Sequence, residues 1–463
     1  MLRYFRINDP YRLIILLVLL ILASLPLLID MPGITLQELR GMVLGEAIGD
    51  KIMYVEIVDR TGPMMAVMEG VMDFIFGRSL TGRHILALVI IFFQTSYFGI
   101  LLINNKAYNE SSYVPALIFG FLCFFSFDLL ATTPELLAST LLLLALNNLF
   151  KEIEFRIDRD SIVLNLGVFL GLSSLFIFSY TVFLFGAIVI LIVFARATFR
   201  KISLLIFGFG LVHSVLLTVY YCYERTEDLW AHFYIANFSQ TSMSLVGINS
   251  LLVLLALPLA YFIFSLFMLT REARFTKYQS QLFQTIFLWL IIAAVQVWLT
   301  PDRSPHSFFA CLPPIAYFIS HYLLLIRRKA IAESMLWILI LGLLSINLLS
   351  RYQTLKQVDY SALFPHASPY DGRVVGRKIM IIGNDLSPFL QNHMAGYFLD
   401  WDLSKKYFEQ ADYYENIVKI NQSILQDPPD VIIDESGKMG GIIERIPALG
   451  NEYRKENELY WKR

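Results

Sequence analysis

The chain has 463 residues, of which 57% are hydrophobic and 16% are charged, and its net charge is −1. A soluble domain usually has about 25% charged residues, so the composition argues against a soluble protein, and the small net charge gives no basis for binding nucleic acid. The apolar residues form uncharged runs such as Leu13–Leu28, Leu251–Leu269 and Leu336–Leu349. Because backbone groups in lipid must bond within their own segment, these runs predict an all-α polytopic membrane protein.

Eleven spanning helices are predicted, the first being Leu13–Leu28, which lacks a following cleavage site and is read as uncleaved. The other ten are residues 85–103, 113–130, 136–150, 162–178, 181–195, 203–219, 250–269, 282–299, 307–325 and 331–349. The apolar stretch Pro63–Phe76 has 14 residues and contains Glu69 and Asp73. A carboxylate at mid-membrane costs about 2.5–3.5 kcal/mol, so this stretch is predicted to be interfacial or re-entrant.

The basic residues give the direction of the spans, because Lys and Arg are enriched in cytoplasmic loops. If Pro63–Phe76 does not cross, sixteen basic residues lie on the cytoplasmic side and seven on the other. The cytoplasmic set is Arg3, Arg6, Arg12, Lys106, Lys151, Arg156, Arg159, Arg196, Arg200, Lys201, Arg271, Arg274, Lys277, Arg327, Arg328 and Lys329. The N-terminus is therefore predicted to be cytoplasmic. Three outer segments face the far side: residues 30–84, 220–249 and 300–306.

The C-terminal part of the chain changes composition and predicts a separate domain. The predicted division is a transmembrane domain 1–350 with interfacial helices in its outer loop 30–84, a linker 351–376, and a small extracytoplasmic α/β domain 377–463. Two short buried-strand patterns, KIMIIG at 378–383 and PDVIID at 429–434, alternate with predicted helices 404–425 and 440–454. This order predicts a parallel strand pair. About 85 residues make a thin core, so the domain is expected to dock on the membrane domain.

Residues with catalytic chemistry are few. Cys123, Cys222 and Cys311 have no metal-ligand spacing and are read as small hydrophobic residues. No nucleophile elbow, zincin, kinase or dinucleotide-binding motif is found. Asp128 lies near the outer end of a span, and the sequence leaves open whether it lines a polar cavity or only packs.

Residues 30–84 carry a weakly specific motif series. Gln37-Glu38 is followed by Gly49-Asp50, Tyr54, Asp59, Thr61-Gly62-Pro63, an apolar helix, Gly77-Arg78-Ser79 and Arg83. Over these roughly 75 residues the chain resembles the GT-C superfamily of membrane glycosyltransferases, in particular the protein O-mannosyltransferase and lipid A aminoarabinose transferase branch. The resemblance implies a bacterial-type inner membrane protein that moves a sugar from a polyprenyl-phosphate carrier to an extracytoplasmic acceptor.

The resemblance also implies roles for individual residues. A carboxylate acts as general base, for which Glu38, Asp59 and Glu46 are candidates, and the leaving phosphate needs a cation or a metal. Arg303 is placed there by position alone, and the other predicted substrate or phosphate contacts are Arg83, Arg225, His306 and Tyr54. The cofactor is unknown: a divalent metal is compatible with the resemblance, and no motif indicates one.

One departure from the family keeps other functions open. The family usually has Asp-Glu where this chain has Gln37-Glu38, and the leading Asp is usually the base. Either Glu38 or Glu46 substitutes for it, or the protein is a catalytically inactive scaffold that binds an envelope partner through residues 377–463. A transporter is the third alternative, opposed by the lack of an internal repeat and of paired broken helices.

Overall fold

The computed structural model describes residues 1–154, 159–239, 243–272, 275–300, 302–370 and 372–463. Arg156, Arg274, residues 240–242 and 301 of the outer segments, and residue 371 of the predicted linker lie outside the described residues. The chain divides into two compact units. The membrane unit comprises Met1–Gly33, Leu80–Val215 and Thr241–Ala362, and the polar unit comprises Ile34–Ser79, Leu216–Gln240 and Leu363–Arg463. The predicted boundaries 1–350, 351–376 and 377–463 stay a prediction.

The long apolar helices confirm a polytopic membrane protein. Among the described residues, eight helices are long and apolar enough to cross a membrane: Arg12–Ile29, Leu80–Asn104, Pro134–Ile153, Phe199–Cys222, Ile248–Arg271, Lys277–Leu299, Pro305–Leu325 and Lys329–Arg351. Asp160–Phe176 and Phe178–Phe194 are shorter apolar helices. The count of eleven spans stays a prediction.

The predicted span 113–130 is interrupted. An α-helix covers Val114–Leu122, and a 3-10 helix, Phe127–Leu130, follows after a break. The break is compatible with burial because its polar groups find partners: Asn347 Nδ2 donates to the Phe124 carbonyl at 2.8 Å, and Ser126 Oγ lies 3.0 Å from Tyr360 Oη. Asp128 is thereby placed on a 3-10 turn.

Two helices of the membrane unit cross closely at small residues. A Cβ atom on Gly167 would collide with the Leu205 carbonyl oxygen, and one on Gly208 would collide with the Leu164 carbonyl oxygen. Such close backbone approach is typical of glycine at membrane helix crossings.

A leucine at this crossing should destabilise the membrane unit. Gly167→Leu forces side-chain atoms into a backbone that cannot yield, which costs about 1–3 kcal/mol. Gly210→Leu is the matched control: Gly210 lies on the partner helix Phe199–Cys222, and nothing lies within 4 Å of a Cβ placed there. Thermal unfolding in detergent should show a lower midpoint for the first variant only; equal midpoints would contradict the close crossing.

The polar unit contains a five-stranded sheet that was only partly predicted. Its strands, in spatial order, are His393–Met394, Lys378–Ile381, Val431–Ile433, Leu459–Lys462 and Tyr453–Glu456. The first three are parallel, and the last two form an antiparallel hairpin. The sequence predicted the parallel pair but not the hairpin, which turns at Asn457 with φ 58°.

The helices of the polar unit are shorter than predicted. Predicted helix 404–425 is two helices, Trp401–Glu409 and Tyr414–Gln426. Predicted helix 440–454 is Met439–Arg445 and Pro447–Glu452, and the second ends where the hairpin begins. Pro447 explains the interruption, since it supplies no backbone N–H to continue the preceding helix.

Pro63–Phe76 is a single helix, packed against the helix Leu36–Ile48. Glu69 is 4% exposed and lies against Gly41, where a Cβ atom would collide with its carboxyl group. Exposed apolar side chains follow a helical spacing along another face: Val67, Val71, Phe74 and Ile75. This pattern is typical of an interfacial helix, and its position at the membrane surface stays a prediction.

The core of the polar unit is built from residues of the first outer segment and residues of the C-terminal segment. Val58 packs with Phe398, Tyr407 and Ile432 in one buried cluster. Its backbone bonds on both sides, with the Val58 N–H donating to the Tyr397 carbonyl at 2.7 Å and the Asp400 N–H donating to the Val58 carbonyl at 3.0 Å. The small C-terminal segment therefore shares a core with residues 34–79, which supplies the apolar area that about 85 residues alone would lack.

Candidate functional site

Asp59 lies in a buried ion-pair network of the polar unit. It is fully buried, and its Oδ2 accepts hydrogen bonds from Arg40 Nε at 3.0 Å and Nη2 at 2.7 Å. Its Oδ1 accepts from the Thr61 N–H at 2.6 Å. Asp400 joins the same network, with Arg40 Nη2 at 2.6 Å and Arg60 Nε at 2.5 Å from its Oδ2. Both oxygens of Asp59 are thus occupied by the protein.

The network keeps Asp400 ionised. Burial raises the pKa of this carboxyl group, but the charges of Arg40 and Arg60 and their hydrogen bonds outweigh burial and bring its pKa to about 2. Asp400 also caps the helix Trp401–Glu409. Its position is therefore structural: it connects residues 40 and 60 to the C-terminal part of the same unit.

A polar cavity of about 580 Å³ opens in the polar unit beside Glu46. The lining residues come from three parts of the polar unit: residues 46–56, residues 73–78 and the C-terminal segment 378–427. They are Glu46, Ala47, Asp50, Lys51, Glu56, Asp73, Gly77, Arg78, Lys378, His393, Met394, Tyr397, Gln426 and Asp427. The cavity therefore offers carboxylates and cations to a polar ligand.

Glu46 is held in this cavity by two basic side chains. Arg78 contacts both carboxylate oxygens, with Nε on Oε1 and Nη2 donating to Oε2 at 2.8 Å, and His393 Nδ1 lies 3.1 Å from Oε2. Arg78 also donates to the Asn392 carbonyl at 2.7 Å. Burial raises the pKa of Glu46, but the hydrogen bonds from Arg78 and His393 outweigh it and the net pKa is lowered. Glu46 is therefore ionised at neutral pH.

The other side of the cavity is also charged. Lys51 Nζ donates to Asp427 Oδ2 at 2.6 Å and to the Gly396 carbonyl at 2.7 Å, and Lys378 Nζ lies 3.0 Å from Asp427 Oδ1. Burial raises the pKa of Asp427, and the two lysines lower it further than burial raises it. Asp50 lines the cavity and is exposed.

The remaining predicted residues of the polar unit have local partners. Glu38 forms a capping box with Thr35, whose N–H donates to Glu38 Oε2 at 2.9 Å. Tyr54 is fully buried, and its hydroxyl donates to the Thr61 carbonyl at 2.7 Å. Arg225 lies 4.0 Å from Asp228 with 59% of its side chain exposed. Roles for these three residues in binding or catalysis stay predictions.

The membrane unit contains an apolar groove of about 470 Å³. Leu251, Leu255 and Phe262 line it from one helix, and Phe287 and Trp298 from the next. Among the described residues that line the groove, Arg303 is the one with a charge. The Arg303 guanidinium carbon lies 4.8 Å from the centre of the Trp298 ring. The arrangement fits a molecule with a long apolar part and an anionic end.

The two other predicted residues of the membrane unit are buried. His306 is 1% exposed, and its Nδ1 donates to Asp128 Oδ2 at 2.7 Å. Arg83 is 3% exposed near the start of the helix Leu80–Asn104. Across the described ranges, no group of three or more His, Cys, Asp or Glu side chains is arranged to hold a metal ion.

Sequence reasoning missed several lining residues of the polar cavity. Arg78 stood in the motif series without an assigned role, and His393, Lys51, Lys378 and Asp427 were not singled out. His393 and Glu46 are 347 residues apart, so only the fold brings them together. For Arg78 the signal was available, because this basic residue lies two positions after the end of the predicted interfacial helix at Phe76.

Comparison with solved structures identifies the fold. ArnT from Cupriavidus metallidurans bound to undecaprenyl phosphate aligns with 76% of this chain and 66% of its own, at 11% identity and a TM-score of 0.51. Its apo state aligns with 74% of this chain and 65% of its own, at 14% identity and a TM-score of 0.53. The chain thus has a GT-C-like fold and spans just under two thirds of the length of ArnT.

The remaining comparisons do not add to the assignment of the fold. The Archaeoglobus fulgidus oligosaccharyltransferase in the apo form aligns with 91% of this chain and 69% of its own at 10% identity, but the TM-score of 0.47 is too low to support an inference. No protein-family model and no curated protein sequence matches the chain.

Proposed function

We propose that this protein transfers a sugar from a polyprenyl-phosphate carrier to an acceptor on the extracytoplasmic side of a bacterial-type inner membrane. The observation that carries the proposal is the apolar groove of the membrane unit with Arg303 in its lining. The fold adds support, because ArnT, which shares it, has been solved bound to undecaprenyl phosphate. The fold alone does not specify a reaction.

The groove suits the lipid part of the donor. A polyprenyl tail is apolar along its length, and the groove is lined by Leu, Ile, Phe and Trp side chains from residues 248–315. Arg303 complements the phosphate, since a guanidinium presents a planar set of donors that pairs with two phosphate oxygens. A cation beside the leaving phosphate stabilises the charge that develops there as the sugar–oxygen bond breaks.

We assign the acceptor to the polar cavity and the base to Glu46. An acceptor hydroxyl must lose a proton as it attacks the sugar, and a carboxylate within hydrogen-bond reach takes that proton. Of the predicted bases, Glu38 is used in a capping box and Asp59 is fully buried away from the cavity. Glu46 is also paired with basic side chains, but it lines a cavity large enough for a ligand. Arg78 and His393 orient its carboxylate and keep it ionised.

The donor site is tested by comparing two lipids of the same length. The Kd values of the purified protein for polyprenyl phosphate and for the uncharged polyprenol are measured, and their ratio gives the phosphate discrimination. Arg303→Ala should lower this discrimination at least about tenfold, because a hydrogen bond to a charged group contributes about 1.5–3 kcal/mol. Its Kd for polyprenol should stay unchanged.

A matched arginine provides the control. Arg200→Ala removes an arginine of the membrane unit that pairs with Asp160 and is 76% exposed, so its phosphate discrimination should equal that of the wild type. Unchanged discrimination in Arg303→Ala, or an equal loss in both variants, would remove the donor-site assignment.

A further inference from the structure

The backbone turn that carries Arg303 is held at its start by a short parallel bridge. Ser244 pairs with Arg303, and the Arg303 carbonyl accepts hydrogen bonds from the Leu245 N–H at 3.0 Å and the Val246 N–H at 3.2 Å. Both partners belong to the membrane unit. The bridge fixes the backbone of Arg303 on one side only.

A buried polar clamp holds the turn on its other side. Ser304, His306 and Asp128 are 0%, 1% and 3% exposed. The Asp128 carboxylate reaches the turn twice, because Oδ2 accepts from His306 Nδ1 at 2.7 Å and from the His306 N–H at 3.3 Å. Ser304 Oγ lies 2.7 Å from the same ring nitrogen. One carboxylate thus contacts both the backbone and the side chain of the segment that follows Arg303.

The clamp is itself anchored within the membrane unit. Asp128 lies in the 3-10 helix Phe127–Leu130, whose preceding residue Ser126 contacts Tyr360. On the opposite edge of the imidazole, Glu135 Oε1 lies 3.6 Å from His306 Nε2, and Glu135 is 3% exposed. The His306 ring is therefore enclosed between two carboxylates from different helical segments, and its orientation has little freedom.

Packing alone does not explain why the clamp is made of a buried carboxylate, a buried histidine and a buried serine. Ionisable side chains buried in a membrane protein are costly, and they usually mark functional sites. A buried ion pair contributes little net stability compared with apolar residues of similar volume, but it does specify one arrangement. Here the buried pair fixes the position of the turn that precedes His306. This turn contains Arg303, which lines the groove.

We propose that Asp128 and His306 are positioning residues that hold the Arg303 turn so that its guanidinium faces the phosphate of a lipid-linked donor in the apolar groove. The inference rests on the proposed function. If the turn occupies its binding arrangement only part of the time, the apparent Kd for the charged ligand rises by the inverse of that fraction. Most of the groove lining comes from the helices Ile248–Glu272 and Lys277–Leu299, so binding of an uncharged tail should change little.

The test uses the same phosphate discrimination, measured for Asp128→Leu, Asp128→Asn and His306→Phe. Asp128→Leu and His306→Phe should lower discrimination about three- to tenfold with unchanged polyprenol binding. Asp128→Asn should retain most of it, because the amide oxygen still accepts from the ring and the backbone. If the leucine variant does not fold, His306→Phe keeps the test decisive. His213→Phe, which removes a ring 2.9 Å from Ser174 in the same unit, is the control.

A double-mutant cycle separates positioning from general damage. In an Arg303→Ala background, Asp128→Leu should cause no further loss of discrimination. A further loss there, an equal loss of affinity for polyprenol, or full discrimination in Asp128→Leu would overturn the positioning role. If Arg303→Ala alone leaves discrimination unchanged, the donor site of the proposed function fails instead, so the two failures are distinguishable.

Discussion

Replacing Asp400 with alanine should lower the free energy of unfolding of the polar unit by about 3 kcal/mol. Asp400 is 5% exposed and lies between Arg40 and Arg60, which are 25% and 12% exposed in their side chains. Removing the carboxylate leaves two largely desolvated guanidinium groups competing for Asp59. It also removes the cap of the helix Trp401–Glu409. Thermal unfolding and limited proteolysis of the C-terminal segment measure the effect.

The chain offers a matched control two residues further on. Asp402 lies 3.3 Å from Arg60 but is 60% exposed, so Asp402→Ala should change stability by less than about 1 kcal/mol. Asp400→Asn should be intermediate, because the amide still caps the helix and loses only the charge. Equal stability of Asp400→Ala and Asp402→Ala would contradict the structural role given to Asp400.

Low pH should remove the stabilisation that the ionised Asp400 gives to the polar unit. The pKa of Asp400 is depressed from 3.8 to about 2 in the folded protein, so its stabilising effect is fully present above about pH 4. This effect is lost as the pH falls from about 4 through about 2, because Asp400 is then protonated in the folded state as well as in the unfolded state. Stability of the wild type should decline across this range more steeply than that of Asp400→Asn.

The hydrophobic pattern was sufficient to predict a polytopic membrane protein of apolar helices. Runs without charge predict spans because lipid leaves the backbone no alternative partner, and this rule depends on composition alone. Pro63–Phe76 was predicted as a separate short helix for a different reason: Glu69 and Asp73 are costly at mid-membrane, and the structure has a helix with these bounds. The broken segment 113–130 was missed because its partners, Asn347 and Tyr360, lie more than 200 residues away.

The candidate site was less accessible to sequence reasoning. From composition alone, the acidic residues of the first outer segment were all plausible bases. Choosing among them required knowing which partners each carboxylate has in the fold. Glu38 and Asp59 acquire theirs from Thr35 and Arg40 nearby, whereas Glu46 meets His393 only through the fold. The hairpin that completes the sheet was missed because its strands, YRKE and LYWK, carry charged residues and lack the continuous apolar run of the two predicted strands.

Glu46→Gln should lower the rate of sugar transfer by about 10²–10⁴-fold, the usual contribution of a general base. The amide keeps the size of the side chain and its contact with Arg78 but accepts no proton. Glu38→Gln should retain activity because its role is helix capping, and Asp59→Asn should lose stability with little change in kcat. Asp412→Asn, an 86% exposed carboxylate of the same unit, is the control.

The pH profile distinguishes a base from a structural carboxylate. Because the base must be ionised, activity falls as the pH drops through the pKa of Glu46, which Arg78 and His393 hold below 4.5. In Arg78→Gln the lowering effect of Arg78 is lost, so burial raises the pKa of Glu46. The pH at which activity falls on the acid side should therefore be higher in this variant, and it should be unchanged in Asp412→Asn. An unshifted acid side of the profile, together with full activity of Glu46→Gln, would assign the base elsewhere, with Asp50 in the same cavity as the next carboxylate to replace.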